Sequence, residues 1–98
     1  MPGLYLAAVR NDLKAVRILV AKDAPIDQRV GCNNTALHAA AAKGYTEIVE
    51  LLLANGADIF AEDNWRRTAY DHAVDRGHPD TADFLRRQAY ATQPHHIP

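Results

Sequence analysis

The sequence repeats itself every 33 residues. Thr35-Ala36-Leu37-His38 returns as Thr68-Ala69-Tyr70-Asp71, Ala40 as Ala73, Gly44 as Gly77, Glu47 as Asp80 and Leu52 as Leu85. One period earlier stands a worn copy, with Leu4 under Leu37, Ala7 under Ala40, Asn11 under Gly44, Leu19 under Leu52 and Ile26 under Ile59. No insertion breaks the register. A fixed period in this range predicts stacked supersecondary units rather than one closed core. Such an array offers a long surface and usually no enclosed pocket for chemistry. A single core would be marginal in 98 residues, so each unit has to bury itself against its neighbour.

The middle copy shows the design of a unit. Ala36 to Lys43 is alanine-rich and predicts a short helix that a neighbour can approach closely. Gly44 ends it, because glycine reaches the left-handed conformation that a helix terminus often needs. A second helix is expected from about Thr46 to Ala54, where Ile48, Val49, Leu51, Leu52 and Leu53 cover more than one stripe. A helix with so wide an apolar surface must be packed on several sides. Asn55-Gly56 stops it. In the third copy, His78-Pro79-Asp80 places proline at a first helical position and an acid in the first turn. Polar segments, Asp27 to Asn34 and Phe60 to Arg67, separate the units, and each leads to a threonine able to cap the next helix.

The chain resembles the ankyrin repeat. The residues that carry the likeness are Thr35-Ala36-Leu37-His38, Ala40-Ala41, Gly44, Glu47-Ile48-Val49, Leu51-Leu52-Leu53 and Gly56-Ala57-Asp58. The resemblance implies an all-α solenoid of about three stacked helical pairs with projecting β-turn or hairpin tips. The repeats fall at about 1–29, 30–62 and 63–90, and 91–98 reads as a flexible tail. Departures from the family pattern are informative. Ala36 and Ala69 stand where the family usually has proline, and Asn33 and Arg66 stand where its turn usually has glycine. Asparagine tolerates positive φ and arginine much less so, which puts strain or another turn type at Arg66. Asp71 replaces the family's histidine, so a hydrogen-bond network attributed to His38 need not recur. Arg86 and Arg87 suit a solvent-facing terminal surface. The first copy lacks its leading turn, and its open end is expected to expose Leu4, Leu6 and Val9.

The bulk properties exclude several function classes. The net charge is -1 with no strongly basic stretch, which argues against nucleic acid as the main partner. No apolar run approaches the roughly 18 to 20 residues that span a bilayer, so no membrane role is expected. The start of the chain has no basic segment ahead of its apolar residues, unlike a signal peptide. One cysteine makes no internal disulfide and fits a reducing intracellular setting, although a secreted effector stays open. Asn33-Asn34-Thr35 has the form of a glycosylation sequon, which that setting and the capping task of Thr35 leave unused.

The resemblance implies protein binding through turn tips and the exposed ends of first helices. At matching positions the tips hold Gly31, Cys32 and Asn34, then Asn64, Trp65, Arg66 and Arg67, and the helix ends hold Arg10, Lys43 and Arg76. Trp65 is the sharpest candidate, since tryptophan and arginine dominate binding hot spots. The competing reading folds Trp65 back onto its own hairpin, and exposure of the ring decides between them. Arg10, Lys43 and Arg76 share one position of every copy and should line up. Each sits at a helix C-terminus, where a cation is stabilising by roughly 0.3 to 1 kcal/mol, and this explains the pattern without a ligand. The result is still a basic ridge that an acidic or aromatic-plus-acidic segment would complement. Cys32 lies near Arg29, and an exposed thiol beside a cation is a setting for reactivity, but such a cysteine is more often incidental.

No catalytic or metal constellation emerges. His38 reads as a helix-start hydrogen-bonder, His78 as a loop or cap residue, and His95-His96 as adventitious ligands at most. No histidine pair has the i, i+4 spacing of a zinc helix. Asp12, Glu47 and Asp80 recur at or near second-helix starts, where the dipole explains them. An enzyme would need a buried Asp71-His72 pair in a deep pocket. No cofactor or metal is expected. The reading is a non-catalytic adaptor or inhibitor, a monomer with a homodimer as the variant. The alternative is a structural subunit that self-associates through exposed repeat ends.

Overall fold

The structure, a computed structural model, describes residues 3–92. Six helices follow in order: α1 (Leu4–Val9), α2 (Leu13–Ala21), α3 (Ala36–Lys43), α4 (Thr46–Ala54), α5 (Ala69–Asp75) and α6 (Pro79–Thr92). α1, α3 and α5 pack side by side in one layer, and α2, α4 and α6 form a second layer behind it. Each pair closes on itself, α1 with α2, α3 with α4 and α5 with α6. This is the all-α solenoid that the period predicts.

The capping chemistry explains where the helices begin and end. Thr35 and Thr68 each accept a hydrogen bond from the backbone N–H three residues on, and each is answered by a side chain that accepts from the threonine's own N–H. Asp12 caps α2 by accepting from Ala15 N–H at 3.0 Å. Gly44 closes α3 in the left-handed region at φ 73°. Pro79 opens α6, with Asp80 in its first turn.

The core runs through all three units without a break. Leu4, Ala7 and Ala8 of the first join Leu37, Ala40, Ile48, Val49 and Leu52 of the second, then Ala73, Ala82 and Leu85 of the third. The alanines of α3 let flanking helices come close, and the large aliphatics of α4 fill the gap between pairs. Burying one such aliphatic fully contributes about 1.5–3 kcal/mol.

Two details differ from the expectation. Leu4 is buried in the core instead of lying open at the first unit's end, and Val9 is half-buried; only Leu6 of the three is exposed. The reason is the helix phase, which turns Leu4 inward with Ala7 and Ala8 one turn on. The last helix continues through Thr92, so Ala91 and Thr92 are helical; the rest of the tail lies outside the described residues. At Arg66 the strained alternative is the one found, with the turn of its counterpart kept: φ is 61° at Arg66 and 69° at Asn33.

Candidate protein-binding face

Two tips project between the helical pairs. The first closes as a small bridge, Val30 N–H donating to Asn34 C=O at 2.8 Å and Asn34 N–H to Val30 C=O at 2.9 Å. The second spans Asp63 to Arg67 and is closed by two backbone bonds, Asp63 N–H to Arg67 C=O and Arg66 N–H to Asp63 C=O, both at 3.0 Å. The tips are joined to each other. Asn64 N–H donates to Cys32 C=O at 3.0 Å. Arg29 Nη1 donates to the carbonyls of Asn33 at 2.9 Å and Glu62 at 2.8 Å, so its guanidinium pins both tips.

The second tip is organised around a carboxylate. Asp63 Oδ1 accepts from the N–H groups of Trp65 and Arg67, both at 2.9 Å. Its Oδ2 meets Arg67 Nε at 3.3 Å and His72 Nε2 at 2.9 Å. The carboxylate is fully buried. Burial alone would raise its pKa, but the two backbone donors, His72 and the Arg67 cation outweigh it and hold the group well below the usual carboxylate range. Asp63 is not singled out by the sequence, and His72 is read there only beside Asp71. The legible signal was an Asp two residues before Trp65, the spacing at which an Asp side chain closes a turn on the backbone ahead of it.

His38 locks this tip to the repeat before it. Its Nδ1 accepts from Thr35 N–H at 3.0 Å, so the proton sits on Nε2, which donates to Arg67 C=O at 3.0 Å. Burial lowers its pKa, the Arg67 carbonyl opposes that, and nearby His72 reinforces it. The two imidazoles meet edge to face at 5.2 Å. Asp71 reproduces only the local half of this arrangement, its carboxylate accepting from Thr68 N–H at 2.9 Å.

Trp65 is 61% exposed. One face of its ring rests against the guanidinium of Arg67, whose central carbon lies 5.4 Å from the ring centroid. Arg67 in turn reaches Asp75 at the end of α5, with Nη1 3.7 Å from the carboxylate. A string Trp65–Arg67–Asp75 therefore runs from the tip to the end of α5, next in sequence to Arg76. Arg67 is thus held by two acids rather than presented as a free cation. Arg66, Asn64 and Cys32 are exposed; Asn34 is half-buried, with its Oδ1 enclosed and unpartnered among the described residues.

The ridge residues are all exposed at first-helix ends, Arg10 at the C-cap of α1, Lys43 in the last turn of α3 and Arg76 at the C-cap of α5. Asp71 and His72 do not pair with each other: the first serves Thr68 and the second Asp63. Among the described residues no three His, Cys, Asp or Glu side chains gather as a metal site, and no helix is long and apolar enough to cross a membrane. His95 and His96 lie outside the described residues.

The comparisons with known proteins agree with this geometry. A family model described as ankyrin repeats in three copies matches residues 4–95. The ankyrin repeat and IBR domain-containing protein 1 of Mus musculus is 45% identical over 65 residues, 66% of this chain and 6% of that protein. The palmitoyltransferase AKR1 of Lachancea kluyveri is 46% identical over 57 residues, 57% of this chain and 8% of its own length. The mitochondrial liver isoform of glutaminase of Mus musculus is 32% identical over 84 residues, 85% of this chain and 14% of that enzyme. This chain spans no more than 14% of the length of any of these three relatives. With its 33-residue register, its capped helical pairs and a family match from residue 4 to residue 95, the chain belongs to the ankyrin-repeat family.

Proposed function

We propose that this chain is a non-catalytic adaptor or inhibitor module that holds a partner protein on the face formed by its tips and first helices. Ankyrin repeats are generally protein–protein interaction modules and are typically non-catalytic. The enzymes among the relatives match only over a small share of their length. The observation that supports this face is Trp65, a large ring 61% exposed on a tip fastened from below by a buried carboxylate. A rigid aromatic presented this way loses little side-chain freedom on binding. Asn64, Arg66 and Arg67 surround it, Cys32 and Asn34 extend it along the first tip, and Arg10, Lys43 and Arg76 border it. The partner is another protein, with no nucleic acid or membrane involved, and the setting is intracellular. The test is selection of displayed peptides on the wild-type chain, followed by rebinding to Trp65→Ala. Selected peptides that lose affinity for Trp65→Ala, with unchanged helical circular dichroism, are expected. Peptides indifferent to the substitution would reject this face.

One observation favours self-association as a second reading. Tyr70 and Val74 are 37% and 50% exposed at the registers where Leu37 and Ala41 are 2% and 0% exposed. Tyr70 also lines an apolar groove with Phe60, Leu85 and Tyr90. Light scattering at tens of micromolar separates the readings, since a monomer removes this one.

A further inference from the structure

The charges of the proposed face are not balanced. Three of its acids are engaged by the chain itself: Asp63 by Arg67 and His72, Asp71 by Thr68, Asp75 by Arg67. Arg10, Lys43 and Arg76 make no ion pair or side-chain hydrogen bond among the described residues. Three cations in one register thus stand open along three successive helices, while these three acids are occupied.

The repeat also sets their spacing. Packed helices lie about 8–10 Å apart, and alanine-lined contacts favour the shorter end. The cations therefore recur at about 9 Å. A polyproline-II segment has about 3 residues per turn and rises about 3.1 Å per residue, so side chains three apart lie on one side at about 9 Å. A β-strand brings same-side residues round at about 6.7 Å, out of step with the row. An acidic α-helix returns to the same side every 7 residues, at about 10.5 Å, but needs some 15 residues to meet three cations, and an isolated helix of that length is marginal in water. The polyproline-II form is already populated in unfolded chains and docks on aromatic rings. Trp65 supplies such a ring, linked through Arg67 and Asp75 to the end of the row.

Resting on the protein-binding reading above, we infer that Arg10, Lys43 and Arg76 with the Trp65 ring recognise an acidic polyproline-II segment of a partner protein. A carboxylate at every third residue meets the row, and a proline ring lies on the indole. Trp65 is the chain's single tryptophan, so its fluorescence reports binding directly. The probes are a synthetic peptide of four Glu-Pro-Pro triplets, a peptide of the same composition with its glutamates clustered, an acidic helical peptide with glutamates 7 apart, and a single-stranded oligonucleotide. The triplet peptide is expected to change Trp65 emission, to bind about tenfold more tightly than the clustered one, and to weaken as salt rises. Lys43→Glu should reduce that affinity by about tenfold or more, while Lys43→Arg should preserve it and both should keep the helical signal. Equal binding of the clustered peptide, tighter binding of the helical peptide or the oligonucleotide, or an inert Lys43→Glu would overturn the inference. Displayed peptides that need Trp65 but not the row leave the protein-binding reading standing and remove this one. A library with no Trp65-dependent peptide removes both.

Discussion

The second and third repeats use the same register for different ends. In the second, the face turned toward the C-terminus is covered. Leu37 and Ala41 are buried there, His38 reaches across to Arg67 C=O, and Gly44 lies so close to His78 that an added Cβ would sit 2.5 Å from the imidazole. In the third, the same positions hold Tyr70, Val74, Asp71 and Gly77. Tyr70 and Val74 are exposed, and among the described residues Asp71 bonds only within its own repeat and nothing comes within 4 Å of a Cβ on Gly77. The contrast teaches which features belong to the repeat and which to its neighbour. Capping is local and survives at the end of the array. The reach of His38 across the seam and the close fit of Gly44 under His78 matter only where another repeat is stacked.

The largest expected effect pits the two glycines against each other. Both have positive φ, 73° at Gly44 and 77° at Gly77, so alanine is strained at each by about 1–2 kcal/mol. Only Gly44→Ala also collides with His78, which adds about 1–3 kcal/mol of overpacking. Thermal melts should show Gly44→Ala well below Gly77→Ala, and equal melting points would mean that the second and third repeats are not packed as described. His78→Ala should relieve the overpacking share of the Gly44→Ala penalty and leave the backbone strain.

Next come the paired caps. His38→Ala removes a buried ring and leaves Thr35 N–H and Arg67 C=O without it, at a cost of about 2–4 kcal/mol. Asp71→Ala removes only the answering half of a capping box, at about 1 kcal/mol. Urea unfolding should order them so, and a larger loss for Asp71→Ala would contradict the assignment of the clasp to His38.

Acid should expose the same asymmetry in two steps. The native His38 pKa is lowered, so the folded state resists a proton that the unfolded chain accepts. Stability is full above the unfolded value of about 6.5 and falls as pH drops below it. Asp63 is also lowered, so its contribution is present above the ordinary carboxylate value of about 3.9 and is lost as pH falls further. Chemical denaturation from pH 8 to pH 3 should show a shallow decline near pH 6 and a steeper one below pH 4. His38→Asn should remove the first and leave the second.

The smallest effect concerns the tips. Arg66 and Asn33 both sit in the left-handed region, which asparagine accepts far better than arginine. Arg66→Gly should stabilise by about 0.5–1 kcal/mol, raising the melting temperature by about 2–8 °C. Asn33→Gly should change it less, and a destabilised Arg66→Gly would show that the side chain makes a contact of its own.

Everything set by local chemistry was legible in the residues. The period, the helix limits of the middle copy, the threonine caps and the left-handed glycine closing α3 all follow from short-range preferences and the apolar pattern. Among the candidate residues, the exposure of Arg10, Lys43 and Arg76 at helix ends follows from the register. Tertiary structure decided what depended on a neighbour. It set the inward phase of Leu4, the grip of Asp63 on Trp65, Arg67 and His72, and the reach of His38 to the third repeat's carbonyl. It also paired Arg67, a tip residue offered by the sequence for binding, with two acids. The physical reason is that a helix signal repeats within a few residues, whereas the burial of the Asp63 carboxylate needs its tip folded back on α5 and the reach of His38 needs the next repeat stacked beside it.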